Sequence, residues 1–247
     1  MSELIRNILF EAVIFFSNVM QGITGFAGTV LAMPESVRLV GYATAKPILN
    51  VLGIVAGLWM AVADRKYIDK KEFLKIIAVM LAGIFLGFYI KNIFAGQQKI
   101  MYISLGVIVC SVGIIGIIKN LTKRKFKVFE NKYLSAALLV IAGIVHGIFV
   151  CGGPLLVGYL TTVLKDKSKF RATISSVWVV LNTVILFSDI HSGYWVKPTE
   201  ILLIPSVVVL FAAVITGSVL YKKMSRDLFV KITYVLLIIS GAALFFN

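Results

Sequence analysis

The chain has 247 residues, 60% of them apolar and 15% charged, with a formal net charge of +14. A soluble domain carries about a quarter charged residues, and a chain this size folded in water could not cover so much apolar surface. The composition excludes an ordinary soluble enzyme and points to a bilayer, where backbone polar groups must be paired inside helices or a closed barrel. A barrel would show alternating segments of about ten residues. Here the apolar runs are continuous and close to the ~20 residues of a spanning helix.

The predicted fold is therefore all-α, a polytopic transmembrane bundle in the cell membrane, with lipid as its surroundings. Eight spans are expected, at 5–33, 43–63, 73–91, 99–118, 133–163, 172–190, 199–220 and 228–246. The N-terminal apolar run exceeds the 7–15 residues of a signal-peptide core, so it reads as the first span. The first and fifth spans are too long for one crossing, and each contains a Gly-rich interruption. The hydrophilic stretch 119–132, KNLTKRKFKVFENK, divides the chain into a first repeat at 1–118 and a second at 133–247.

Sliding the second half onto the first by about 125 residues places Gly22 on Gly147, Gly28 on Gly153, Lys46 on Arg171 and Asp64 on Asp189. Further along, Gly87 falls on Gly217. These matches and the span spacing predict a 4+4 duplication. Interrupted helices at corresponding positions of two repeats are the best sequence pointer to a transporter site. The loops after the second and fourth spans hold the most Lys and Arg, which favours both termini inside. The opposite loops hold nearly as many, and parallel and inverted repeats both stay open.

The first interruption runs Gln21-Gly22-Ile23-Thr24-Gly25-Phe26-Ala27-Gly28-Thr29, on to Met33-Pro34. The second runs His146-Gly147-Ile148-Phe149-Val150-Cys151-Gly152-Gly153-Pro154. Clustered glycines weaken a helix by about 1 kcal/mol each. Proline fits best in the first turn of a new one. New half-helices are therefore expected near Gly28 and near Pro154. Their N-terminal N–H groups and positive dipole ends favour an anion. Gln21, Thr24 and Thr29 add neutral hydrogen bonds, and one such end per half would face a shared centre. The competing reading is that Gly22, Gly25, Gly28, Gly147, Gly152 and Gly153 only let helices pack closely.

The run from Gly22 to Pro34 resembles the signature of the TauE/SafE family, the sulfite-exporter-like or 4-toluene sulfonate uptake permeases. The resemblance extends to length, to the 4+4 architecture and to a Gly-rich motif in the second half. There, Pro154 follows Gly153 at once instead of several residues later. The resemblance implies movement of a small anion: sulfite, a sulfonate, sulfoacetate or another small organic acid.

Lys46 and Arg171, at the starts of the second and sixth spans, are candidates to attract the anion, or to snorkel to headgroups. Asn50, Asn182 and Ser175 lie deeper and should face the interior, as substrate contacts or helix-to-helix bonds. His146 is a candidate for a coupling proton, against the plainer reading of a satisfied interior histidine. Glu11 is an ionisable group inside a span, though it stays wet if it sits close to the interface. Asp64 and Asp189 read as terminal or salt-bridging groups. Cys110 and Cys151 lie in apolar runs, and Cys151 reads as a small packing residue. With His146 and His191 far apart, the chain shows no disulfide framework, no zinc signature and no cofactor motif.

The basic residues stand in short loops and form no stripe on a soluble domain, so nucleic acid is not expected as a partner. No G-x-x-x-x-G-K-[ST] loop occurs, so energy would come from a gradient or a partner. The sequence thus predicts a secondary transporter for a small anion, working by alternating access, with a proton or other ion as a candidate co-substrate. The alternatives are a non-transporting membrane scaffold or assembly protein, and an intramembrane enzyme. The enzyme would need a constellation that Ser175, Ser176 and His146 do not supply.

Overall fold

The structure, a computed structural model, describes residues 2–93, 103, 106, 107, 110, 111, 113–118, 132–150, 152–193, 195, 197–243 and 245. Residues 119–131 of the predicted linker, Cys151 and much of the predicted span 99–118 lie outside the described residues. Nine α-helices are bounded among the described residues: α1 Glu3–Thr24, α2 Ala27–Val40, α3 Tyr42–Ala63, α4 Lys70–Ile93, α5 Lys132–Phe149, α6 Gly153–Val163, α7 Lys167–His191, α8 Lys197–Lys223 and α9 Arg226–Ala243. A 3₁₀ turn, Arg65–Tyr67, follows α3. No strand occurs among the described residues.

Four stretches are long and apolar enough to cross a membrane: Tyr42–Ala63, Lys70–Ile90, Lys167–His191 and Thr199–Lys223, with mean hydropathy from 1.6 to 2.4. They coincide with four of the predicted spans. The overlong first span is two helices, α1 and α2, and the overlong fifth is α5 and α6. The new helices begin at Ala27 and Gly153, each within a residue of the expected place.

Helix ends follow the local chemistry. Ser2 caps α1, its Oγ accepting from the Ile5 N–H at 3.4 Å. Gly25 ends α1 at φ 83°, a left-handed conformation that glycine adopts without a Cβ clash. Glu72, Glu200 and Asp227 stand in first turns and Lys222 and Lys223 in a last turn, where the helix dipole favours each sign.

The chain forms two compact units. Met1–Asp69 and Arg171–Met224 make the first, and Lys70–Phe170 and Ser225–Asn247 the second. Each unit combines stretches from both sequence halves. In the first, α1 packs against α8 and α2, and α3 against α2 and α8. In the second, α4 packs against α5, and α5 against α6.

Glycine sets both main contacts. A Cβ on Gly22 would meet Val214 O at 2.7 Å and Gly217 Cα at 3.1 Å, so α1 lies backbone to backbone on α8. A Cβ on Gly147 would meet Ile84 O at 2.7 Å, so α5 lies equally close on α4. The close-packing reading of Gly22 and Gly147 therefore holds in both units. Outward, Leu4, Ile8 and Phe16 of α1 and Ile201, Ile204 and Val208 of α8 are exposed, an apolar sheath suited to lipid.

Candidate functional site

The break in the first unit is built by α1 itself. After Gly25, the first turn of α2 needs partners for its N–H groups. Thr24 Oγ1 accepts from the Phe26 and Ala27 N–H groups at 3.4 and 3.3 Å. Gln21 Oε1 accepts from the Gly28 N–H at 2.7 Å. Gln21 and Thr24 thus have a structural task beside the expected one: they cap α2 from the preceding helix. A Cβ on Gly28 would meet Asn18 Oδ1 at 2.9 Å and Gln21 Cβ at 3.0 Å, so a side chain here would push Asn18 and Gln21 aside where the two half-helices close. A Cβ on Gly25 would meet Ile174 Cγ2 at 2.8 Å and Ser175 Oγ at 2.9 Å, which seats the break directly on α7.

Thr29, one residue into α2 beyond Gly28, is half-buried. Its Oγ1 lies 3.7 Å from where a Gly53 Cβ would stand, a point that Asn182 Nδ2 also crowds. Asn50, one turn earlier on α3, donates from Nδ2 to Asn182 O at 3.0 Å. Asn50 Oδ1 is buried with no hydrogen-bond partner among the described residues. Thr29, Asn50 and Asn182 therefore come together beside the α2 N-terminus and form a polar layer with an acceptor left unfilled.

That layer sits within an antiparallel pair, α3 on α7. Lys46 is ion-paired with Asp189 at one end. Ser175 Oγ lies 3.6 Å from Met60 Sδ further along, and a Cβ on Gly57 would meet Ser175 O at 2.8 Å. At the other end Arg171 Nη1 donates to Asp64 Oδ2 at 2.7 Å. Arg171 also donates from Nη2 to Ser218 Oγ at 2.7 Å, and its guanidinium lies 4.4 Å from the Tyr221 ring centroid. Lys46 and Arg171 are only 2% and 3% exposed. They do not snorkel, because each is pinned to a carboxylate, and both pairs match the salt-bridging reading of Asp64 and Asp189. The residues equated by the sequence repeat are paired crosswise, cation of one half with acid of the other.

The break in the second unit has a different cap. Val150, at φ 57°, is the one non-glycine residue with positive φ among the described residues. A β-branched residue in this region is strained by about 1–3 kcal/mol. The Gly152 N–H donates to His146 Nδ1 at 3.4 Å. Gly153 and Pro154 then open α6, with Pro154 in its first turn. A Cβ on Gly152 would meet His146 Cβ at 2.7 Å, so glycine is required for the imidazole to lie against the chain. His146 is buried, and an accepting Nδ1 carries no proton. Its role here is to cap the break, as Gln21 and Thr24 do in the first unit.

Sequence reasoning missed Val150, because nothing marks a valine as the left-handed residue between glycines. It also missed Tyr159, which donates to Glu72 and accepts from Lys75 Nζ at 2.6 Å. Ser218 and Tyr221 around Arg171 carried no signal, being distant in sequence. Among the described residues no group of three His, Cys, Asp or Glu side chains is placed to hold a metal ion.

Long apolar helices, helices broken at glycines and capped internally, and buried ion pairs define a multi-pass α-helical membrane protein. The family model described as Sulfite exporter TauE/SafE matches residues 10–244, nearly the whole chain, and the chain belongs to that family. It is accordingly a membrane transporter of the small-anion type, in a family of transporters rather than enzymes. No curated protein and no solved structure matches it.

Proposed function

We propose that the chain carries sulfite, a sulfonate, sulfoacetate or another small organic acid by alternating access around its broken helices. The observation that supports this reading is the meeting of Thr29, Asn50 and Asn182 beside the N-terminus of α2. The first N–H groups of α2 are capped by Thr24 and Gln21, but the positive end of its dipole still favours an anion, and the Thr29 hydroxyl and the side-chain amide N–H groups supply neutral donors that hold it without a fixed counter-charge. Gln21, Thr24, Gly25 and Gly28 shape this end. Gly147, Gly152, Gly153 and Pro154 take the corresponding part in the second half.

The two halves act as inverted repeats in this reading, with 1–118 equivalent to 133–247. The helices that correspond, α3 and α7, run antiparallel, as inverted repeats require. The ion pairs Lys46–Asp189 and Arg171–Asp64 at the two ends of that pair serve as locks that open in turn.

The test is flux. Purified protein in liposomes should move sulfite, sulfoacetate or acetate, and Asn50→Ala should lower that flux tenfold or more. Normal insertion without flux of any small anion would overturn the reading in favour of a scaffold.

A further inference from the structure

One half-buried acid has no part in the site. Glu11 stands on α1, and its Oε1 lies 2.7 Å from Ser206 Oγ of α8. Its Oε2 is buried and has no hydrogen-bond partner among the described residues. Asp64 and Asp189 each face a cation. Glu11 takes part in no ion pair among the described residues. A carboxylate without a counter-charge inside a membrane helix is a costly group, and such residues mark ion or proton paths by default.

The hydrogen count at Ser206 is informative. Its hydroxyl carries one proton, yet two acceptors stand within reach: Glu11 Oε1 at 2.7 Å and Leu202 O at 2.8 Å. If Glu11 is ionised, the hydroxyl serves one acceptor and neglects the other. If Glu11 is protonated, its O–H donates to Ser206 Oγ and the Ser206 hydroxyl donates to Leu202 O. Two protons then fill two contacts, and the carboxyl is neutral in its apolar surroundings.

Among the described residues, the neighbouring elements bring no charge that would do the same. Residues 7–15 of α1 and 202–210 of α8 hold no titratable side chain besides Glu11. On α2, Glu35 and Arg38 pair with each other at 3.0 Å in an exposed position. On α3, Lys46 is paired with Asp189. Arg6 of α1 and Lys197 and Glu200 of α8 are exposed.

We infer that Glu11 and Ser206 form a proton-binding site within the membrane. On uptake, the Glu11 carboxylate becomes a carboxylic acid that donates to Ser206 Oγ, and the serine hydroxyl rotates onto Leu202 O. Release reverses both movements. The site's use, coupling anion movement to a proton gradient, rests on the transport reading. Its existence does not.

Infrared difference spectra of the full chain in phosphatidylcholine vesicles, taken across a pH step in H2O and D2O, read the site directly. The wild type should show a protonated-carboxyl C=O band that shifts in D2O. Glu11→Gln should lose the band, and Ser206→Ala should move it. An unchanged band in Glu11→Gln overturns the site. If Glu11→Gln fails to insert, Glu11→Asp takes its place and should keep a band at an altered frequency; a band identical to wild type again overturns the site. In flux assays with sulfite, Glu11→Gln should keep downhill flux within about twofold and lose at least tenfold of the response to an imposed pH gradient. An undiminished response overturns the coupling. A wild type that moves no anion removes the transport reading, and the infrared band alone then decides the proton site.

Discussion

Lys46 is ion-paired with Asp189, the residue that the expected repeat sets in the place of Asp64. Asp64 is in turn paired with Arg171, which the same expected repeat sets in the place of Lys46. Each half thus neutralises the buried cation of the other. Removing one partner of such a pair leaves an uncompensated charge and costs about 3–5 kcal/mol, whereas replacing both with apolar residues of similar size is often neutral. Lys46→Met alone should therefore sharply lower the thermal midpoint in detergent, and Lys46→Met with Asp189→Leu should recover most of it. A double variant as unstable as the single one would show that the pair is not the controlling contact.

Gln21 should separate the capping role from the substrate role. Gln21→Ala removes the acceptor of the Gly28 N–H and should cost about 1 kcal/mol, as a lost helix cap does. Gln21→Glu keeps an acceptor and favours the helix N-terminus, so stability should be retained. The new negative charge beside the proposed anion site should nonetheless raise KM for sulfite tenfold or more. An unaltered KM with unaltered stability would move the substrate away from this break.

Gly22 and Gly217 face each other backbone to backbone, and a methyl on Gly22 points at Val214 O. Gly22→Ala and Gly217→Ala should each destabilise by about 1–3 kcal/mol through overpacking. Because the two positions relieve the same contact, the double variant should lose less than the sum. Unfolding midpoints of the three variants measure this, and strict additivity would contradict the shared contact.

Gly28→Leu and Gly153→Leu bear on the breaks themselves. Both should abolish anion flux in liposomes while the protein still inserts; at Gly28 even a Cβ would meet Asn18 Oδ1 at 2.9 Å and Gln21 Cβ at 3.0 Å, so a leucine must displace both side chains and the Gln21 cap. Full flux in both would remove the broken helices from the transport path.

The breaks were legible in the sequence because glycine and proline act locally: a missing Cβ or a missing N–H marks a helix end wherever the chain goes. The starts at Ala27 and Gly153 followed from that alone. The fate of the polar groups did not. Gln21 and Thr24 look like ligands in a linear reading, and only the fold of α2 back toward α1 turns them into caps. Lys46 and Arg171 could be placed at the heads of two spans, but their partners lie in the other half and no local pattern names them. His146, a candidate for a coupling proton or a satisfied interior histidine, accepts from the Gly152 N–H, a contact set by a turn at Val150 that valine does not advertise.

The pairing of α1 with α8 has a consequence for biogenesis. The bond between Glu11 and Ser206 joins residues 195 positions apart. While the chain is being synthesised, α1 enters the bilayer long before the helix that will cover its glycine face and its acid exists. The first unit can close only after α8 has left the ribosome, so a chain truncated before residue 197 should insert and yet remain open to degradation.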